Sequence, residues 1–345
     1  MKKGLLQIVL ALSLLAGEQA AAQSMHFSQY YNAPQLLNPA NTALMPDADY
    51  RAGLNYRNQW AVVPVPYNTF SAFADMKVGG NKNNENHNNW LGVGMSFFND
   101  NAGAGNLALN QVQLSLAYHL QLSKVTMLSV GLEGAYVQRS VNYSNLTFDT
   151  QWDGATFNTQ MANGEKVGIV KTNYATVGAG LNFAWFPNEN VYIKLGGSLL
   201  NINQPTETFY NSNNQVAYRP IGNLDVVFRT GESIILNPSV YFTEQKGATE
   251  LVFGSQMRTL LGEDSHDQPT QLILGIYDRL NDAVIGTAGL QISSIQFMAS
   301  YDFTVSGLAP YNAAYGALEF SLIYQGLYGK HKNQLTKSYN CPRFF

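Results

Sequence analysis

The sequence predicts an all-β chain: a transmembrane antiparallel β-barrel of about fourteen strands, with an irregular, plug-like segment near its start. Three observations carry this. Stretch after stretch alternates apolar and polar residues with a period of two, the pattern of a strand with one greasy face. Charged residues make up only 12% of the chain, about half of the roughly 25% usual in soluble domains, so the surface is short of the charge that faces water. Aromatics stand at strand ends, among them Tyr50, Trp60, Trp90, Trp185, Tyr324 and Tyr328, where membrane barrels carry their girdles. A soluble β-sandwich would share only the first of these.

Residues 1–22 read as a secretory signal peptide. Lys2 and Lys3 form its basic end, Leu5 to Leu15 its apolar run, and Ala20-Ala21-Ala22 a small-residue cleavage site before Gln23. The apolar run is too short for a retained spanning helix. Cys341 is the only cysteine among 345 residues, which excludes an intramolecular disulfide, a cysteine metal cluster and a lipid anchor at the cleavage site. The formal charge of −3 points away from nucleic acid.

Residues 23–49 form the plug-like segment. Within 29–43, Pro34 and Pro39 each remove a backbone donor and fix φ, while Asn32 and Asn38 favour turns. Yet Tyr30, Tyr31, Leu36 and Leu37 are too apolar for a solvated tail. Irregular but apolar chain needs an enclosure, and the segment is expected within or across the periplasmic mouth of the barrel.

Residues 50–329 form the barrel, with strands of roughly 9–12 residues. They start near Tyr50, Tyr67, Asn89, Asn106, Val125, Thr172, Asn190, Tyr218, Ser233, Thr249, Thr270, Asp282, Ile295 and Tyr315. The stretch from Gln111 to Leu120 is the clearest: Val112, Leu114, Leu116, Tyr118 and Leu120 share one face, and Gln111, Gln113, Ser115, Ala117 and His119 the other. Tight turns at Ser123-Lys124, Pro187-Asn188-Glu189, Thr230-Gly231-Glu232 and Ser293-Ser294 contrast with long polar loops at 144–170 and 201–216. Short periplasmic turns and longer external loops suit an outer-membrane barrel, and an even strand count leaves both termini periplasmic. Two connections depart from this rhythm, the long one at 79–88 and the short one at 243–249. Residues 330–345 form a C-terminal tail, read as a periplasmic docking element. It holds Lys330, Lys332, Lys337 and Arg343 and ends in Phe344-Phe345.

The five histidines have no metal-ligand spacing, and no cofactor, metal or enzymatic activity is expected. His119 falls on a lumenal face as a polar filler. The turn Glu263-Asp264-Ser265-His266-Asp267 lacks the ligand order of a calcium loop. Gly92-Val93-Gly94 and Gly178-Ala179-Gly180 lie inside strands, where glycine relieves crowding. Arg51, Arg57, Asp75, Glu133, Asp302 and Glu319 fall on the lumenal face, where charges can pair or stay wet. Phe148, Trp152, Phe157, Phe209 and Tyr210, with Tyr143, stand in or beside the two long loops amid Asn and Thr. That mixture suits a protein interface.

The runs Gln29-Tyr30-Tyr31-Asn32 and Leu37-Asn38-Pro39-Ala40 resemble the start of PorP/SprF family proteins. Tyr56-Arg57-Asn58-Gln59-Trp60 fits the same family, as do Ser300-Tyr301-Asp302-Phe303, the run from Gly316 to Leu322, and Cys341-Pro342-Arg343-Phe344. Asn41-Thr42-Ala43 and the extra Phe345 depart from the usual pattern. The resemblance implies a non-enzymatic outer-membrane component of the type IX secretion and gliding system of Bacteroidota. One branch of the family joins the periplasmic ring and motor. The SprF-like branch supports secretion of large adhesins and holds them by a C-terminal sorting domain. The partners it implies are such an adhesin, type IX secretion components and outer-membrane lipid. A plugged channel for small hydrophobic solutes is the alternative, since such channels also carry N-terminal Asn-Pro-Ala plugs.

Overall fold

The computed structural model describes residues 27–328, apart from 46–47, 62–64, 80–88, 104, 143, 145, 159, 162–167, 210–213, 232 and 262–269. The signal peptide, the tail 330–345, the connection 80–88, the acidic turn 263–267, Tyr143 and Tyr210 lie outside the described residues.

Among the described residues, fourteen strands form one closed barrel. They are β1 (Tyr50–Gln59), β2 (Tyr67–Val78), β3 (Trp90–Ala102), β4 (Leu107–Ser123), β5 (Thr126–Asn142), β6 (Ile169–Asn188) and β7 (Val191–Leu200). Then follow β8 (Arg219–Thr230), β9 (Ile234–Gln245), β10 (Ala248–Leu260), β11 (Gln271–Arg279), β12 (Ala283–Ile292), β13 (Ile295–Thr304) and β14 (Tyr315–Gly326). Every neighbouring pair is antiparallel, and β1 closes on β14 from Tyr50↔Gly326 to Gln59↔Ala317. Closure removes the sheet edges that hydrocarbon cannot satisfy.

The alternation is inside out relative to a soluble barrel. Leu114 is 61% exposed, whereas Gln113 and Ser115 on either side of it are 1% exposed. Leucines facing outward in every other position of a strand are stable only against lipid. No helix among the described residues is long and apolar enough to cross a membrane, so the strands do the crossing.

Observed strand starts lie within three residues of those expected. Two expectations are corrected. First, β4 and β5 have 17 residues each and β6 has 20, longer than the 9–12 expected and than the roughly 9–11 a bilayer requires. The extra length of β6, including Lys171, Thr172 and Asn173, is polar. Beyond the hydrocarbon a strand needs no greasy face, so its sequence looks like loop. Second, Trp90 is no girdle residue: it is 5% exposed and points inward. It shares the parity of Gly92, Gly94, Ser96 and Phe98, whereas Trp185, Tyr324 and Tyr328 do face outward.

The barrel has a near end, where Tyr50 and Gly326 lie with the β4–β5, β6–β7 and β12–β13 turns, and a far end, where the β5–β6 and β7–β8 loops lie. Its core is not a second sheet but the early segment itself. Tyr30 and Leu37 pack with Ile221, Tyr241, Val252, Tyr277 and Ile285. Phe27 and Ala33 pack with Phe98, Leu109 and Val137. Each such side chain, fully buried, contributes about 1.5–3 kcal/mol.

Candidate functional site: a filled lumen and its far mouth

The segment 27–45 runs down the inside of the barrel, from Ser28 and Gln29 toward the far end to Ala43 toward the near end. It folds as three single turns, Tyr30–Asn32, Pro34–Leu37 and Pro39–Asn41. Pro34 and Pro39 each stand at a first turn position, where the missing N–H costs nothing. The segment was expected at the mouth. It instead fills the lumen, because its polar backbone needs partners and the polar inner wall supplies them all round.

Asn38-Pro39-Ala40 is the seat. The Asn38 side-chain oxygen accepts from Ala40 N–H at 2.8 Å, and its amide donates to Leu181 O and Asn182 Oδ1, each at 3.1 Å. The wall opposite is glycine. A Cβ on Gly131 would lie 2.6 Å from Ala40 Cα, and one on Gly180 2.9 Å from Asn38 Cγ. Side chains at either place would exclude the segment. Further contacts tie it to other strands: Gln35 Nε2 donates to Ala74 O at 3.1 Å, Ser198 Oγ to Leu37 O at 2.8 Å, and Asn55 Nδ2 to Asn32 O at 3.2 Å.

Toward the near end, His119 Nε2–H donates to Thr42 O at 2.8 Å, and Ser129 Oγ lies 2.8 Å from Nδ1. Trp90 stacks on His119 and donates from Nε1 to Ala43 O at 3.1 Å. Asp75 accepts from Ala43 N–H at 2.8 Å and pairs with Arg51 at 2.6 Å. His119 is thus the expected filler, with a definite task.

Toward the far end lies a buried latch. Glu319 accepts from the backbone N–H of Ser28 at 2.6 Å and of Gln29 at 2.9 Å, and pairs with Arg57. Asp302 pairs with Arg57 and with Arg279, each at 3.1 Å, and accepts from Ser28 Oγ–H at 2.7 Å. That hydroxyl in turn accepts from both guanidinium groups. Arg279 also pairs with Asp282 at 2.9 Å and Glu250 at 3.5 Å, so two cations and four anions are held together, with the segment's backbone as part of the network. Beside it Tyr30 bonds Ser239 Oγ at 2.7 Å and stacks on Tyr241, while Tyr31 stacks on Tyr277.

All the lumenal charges read from the sequence face inward, and the structure splits them into two sets: Arg51 with Asp75, and Arg57 with Asp302 and Glu319. Glu133 accepts from Gln113 Nε2 at 2.7 Å. Ser28, Gln29 and Arg279 were missed. Arg279 shares the parity of the inward Ile273 and Tyr277, so continuing the β11 alternation to its last residue would have found it. Among the described residues no cluster of three or more His, Cys, Asp or Glu could hold a metal.

Above the segment a cavity of about 660 Å³ reaches the far end. Phe27, Leu36, Phe98, Leu109, Tyr174 and Tyr241 give it apolar patches, and the charged Arg57, Asp100, Glu133, Arg139, Glu207 and Arg219 stand between them. Of the loop aromatics, Trp152 and Phe157 pair across a bridge, with ring centroids 5.0 Å apart and planes tilted by 60°, and both are exposed. Phe148 and Phe209 are half-buried. The structure therefore joins only Trp152 and Phe157 of that set.

Between those two rings, Asp153 closes the turn. It accepts from the N–H groups of Thr156 at 2.8 Å and Ala155 at 2.9 Å, which hold its carboxyl below the usual carboxylate range. A lowered folded-state value means the turn is fully supported above the ordinary value of about 3.9 and loses that support as pH falls through the lowered one. Amide exchange at Ala155 and Thr156 is expected to accelerate only below about pH 4, and in Asp153→Ala at every pH. Exchange that is fast in the native chain at neutral pH would refute this.

Among curated proteins none matches the chain. Solved structures similar to it include the toluene transporter TbuX of Ralstonia pickettii, with 8% identity and a TM-score of 0.49 over 86% of this chain and 93% of that one. Another is the toluene transporter TodX of Pseudomonas putida, with 9% identity and a TM-score of 0.48 over 87% and 93%. A third is a FadL homologue of Pseudomonas aeruginosa, with 10% identity and a TM-score of 0.45 over 85% and 94%. At such identity nothing about cargo transfers to this chain. The family described as type IX secretion system membrane protein PorP/SprF matches residues 19–324. That match takes in the lumenal segment and the strands as far as Tyr324 in β14, and the chain belongs to the PorP/SprF family, as an outer-membrane β-barrel of the type IX secretion system.

Proposed function

We propose that the barrel is a closed, non-enzymatic anchor: it supports secretion of a large adhesin and holds that adhesin by its C-terminal domain at the far mouth. In this reading the near end, with both ends of the barrel wall, faces the periplasm. The observation that carries it is the filled lumen. A segment hydrogen-bonded to the inner wall from Asp75 to Glu319 occupies the lumen, which favours the surfaces at the two ends as the seat of function. At the far end stand a cavity with mixed apolar and charged walls and the exposed Trp152–Phe157 pair, which suit a protein partner.

Pull-down of the tagged barrel from outer membranes is expected to recover an adhesin with a C-terminal sorting domain. Shortening both loops, 144–170 and 201–216, is expected to release it while the barrel stays folded and heat-modifiable on gels. Full retention by the shortened barrel would place the binding face elsewhere and favour the alternative branch, in which the barrel links the membrane to the periplasmic secretion and motor complex. The cavity's apolar patches support a second reading, a site for a small hydrophobic solute. Solute binding that survives loop shortening would favour it.

A further inference from the structure

The far mouth has an unfinished wall. β6 has 20 residues and β7 only 10. β5 pairs with β6 over its whole length, from Thr126↔Trp185 to Asn142↔Ile169. β7 pairs with β6 only from Ala179↔Leu199 to Asn188↔Val191. Residues 169–178 therefore have a ladder on one side alone.

The first part of that gap is filled by imitation. Ile202 N–H donates to Val177 O at 3.0 Å, Asn203 Oδ1 accepts from Val177 N–H at 3.2 Å, and Asn203 Nδ2 donates to Ala175 O at 2.9 Å. The loop after β7 thus acts as a strand for two residues and then leaves. In an antiparallel strand alternate residues turn their N–H and C=O to opposite edges. Val177 turns away from β5, so Asn173, Lys171 and Ile169 do too. Among the described residues none bonds the backbone of these three on that edge.

We propose that this edge of β6 receives an extended segment of the secreted partner as an added strand. The proposal rests on the reading that the far mouth holds that partner. A row of unpaired N–H and C=O groups is complementary to another extended backbone. Lipid cannot cover it, because hydrocarbon satisfies no polar group. A second copy of the chain fits poorly. The open edge is centred on Lys171, so pairing it with itself sets Lys171 against Lys171, and like charges directly opposite destabilise a pair. A partner strand with Asp or Glu at that place gains instead. On the other face Tyr174 and Thr176 line the cavity of about 660 Å³. The partner segment is thus extended, with an acidic residue opposite Lys171.

Two measurements test this. In the purified barrel, the amides of Ile169, Lys171 and Asn173 are expected to exchange at least tenfold faster than those of Val170, Thr172 and Tyr174, which bond β5. Protection already present in the purified barrel would mean that the chain covers its own edge, and would overturn the proposal. The second is capture of the partner from outer membranes by Asn173→Pro or Lys171→Pro. Proline removes an N–H from the open edge and leaves the β5 ladder whole. Capture is expected to fall at least tenfold with heat-modifiability unchanged. Should either variant not reach the membrane, Lys171→Glu, which leaves the backbone intact, is expected to lower capture severalfold. Undiminished capture by these variants overturns the edge and leaves the far-mouth reading standing. No capture by the native barrel overturns both. A native dimer that Asn173→Pro converts to monomer would make the edge a self-interface and overturn the proposal.

Discussion

Glu319→Ala is expected to unfasten the upper end of the lumenal segment and to destabilise the protein by about 3–5 kcal/mol, the cost of removing one partner from a buried ion pair. Arg57 is 2% exposed and Glu319 1% exposed, so neither charge can fall back on water. The substitution also orphans the backbone N–H groups of Ser28 and Gln29. A buried donor left unsatisfied costs about 1–3 kcal/mol. These losses overlap, since freeing the segment lets water reach the donors. The expected outcome is therefore a looser segment in a weakened barrel. Urea unfolding should show the loss of stability, and planar-bilayer recordings a fluctuating conductance absent from the native protein. A variant as stable as the native chain to within about 0.5 kcal/mol, and equally silent in the bilayer, would show that Glu319 does not hold the segment.

Gly131→Val should separate plugging from folding. Ala40 is completely buried against this glycine, and a Cβ there would stand 2.6 Å from Ala40 Cα, closer than real atoms approach. The obstacle is backbone, so no rotamer change relieves it. The β5 strand itself gains from the change, because valine suits an extended, half-buried surface better than glycine. The barrel is expected to close and insert normally while the segment is pushed from its seat at Asn38-Pro39-Ala40. A lumen enclosed by fourteen strands is wider than its own side chains fill. Conductance is therefore expected to rise at least tenfold over the native protein, with heat-modifiability retained. A non-conducting Gly131→Val barrel would mean that the lumen is closed by something other than residues 27–45.

The contrast between the two variants follows from where the segment's partners come from. Its middle is held by shape, against glycines of β5 and β6. Its upper end is held by charge, through β1, β11, β13 and β14. Neither kind of contact is available to the segment alone, which has too few hydrogen bonds of its own to keep three single turns in water.

The barrel was legible in the sequence because a strand's two faces are a local property. Parity alone puts Leu114 outside and Gln113 inside, and the same parity put Arg51, Arg57, Asp75, Asp302 and Glu319 in the lumen. The plug-like character of residues 29–43 was legible because proline and asparagine bar regular structure while tyrosine and leucine demand burial. Two things were decided only by the tertiary structure. Arg57 meets Asp302 and Glu319 because β1 closes on β14, and no local rule pairs residues 245 and 262 positions apart. Among the described residues, the edge of β6 before Ala179 lacks a neighbouring strand because β7 stops short, a mismatch between neighbours that neither strand records. Periodicity specifies what each strand turns inward or outward. Which residues meet across the lumen depends on register and closure, and these belong to the whole barrel at once.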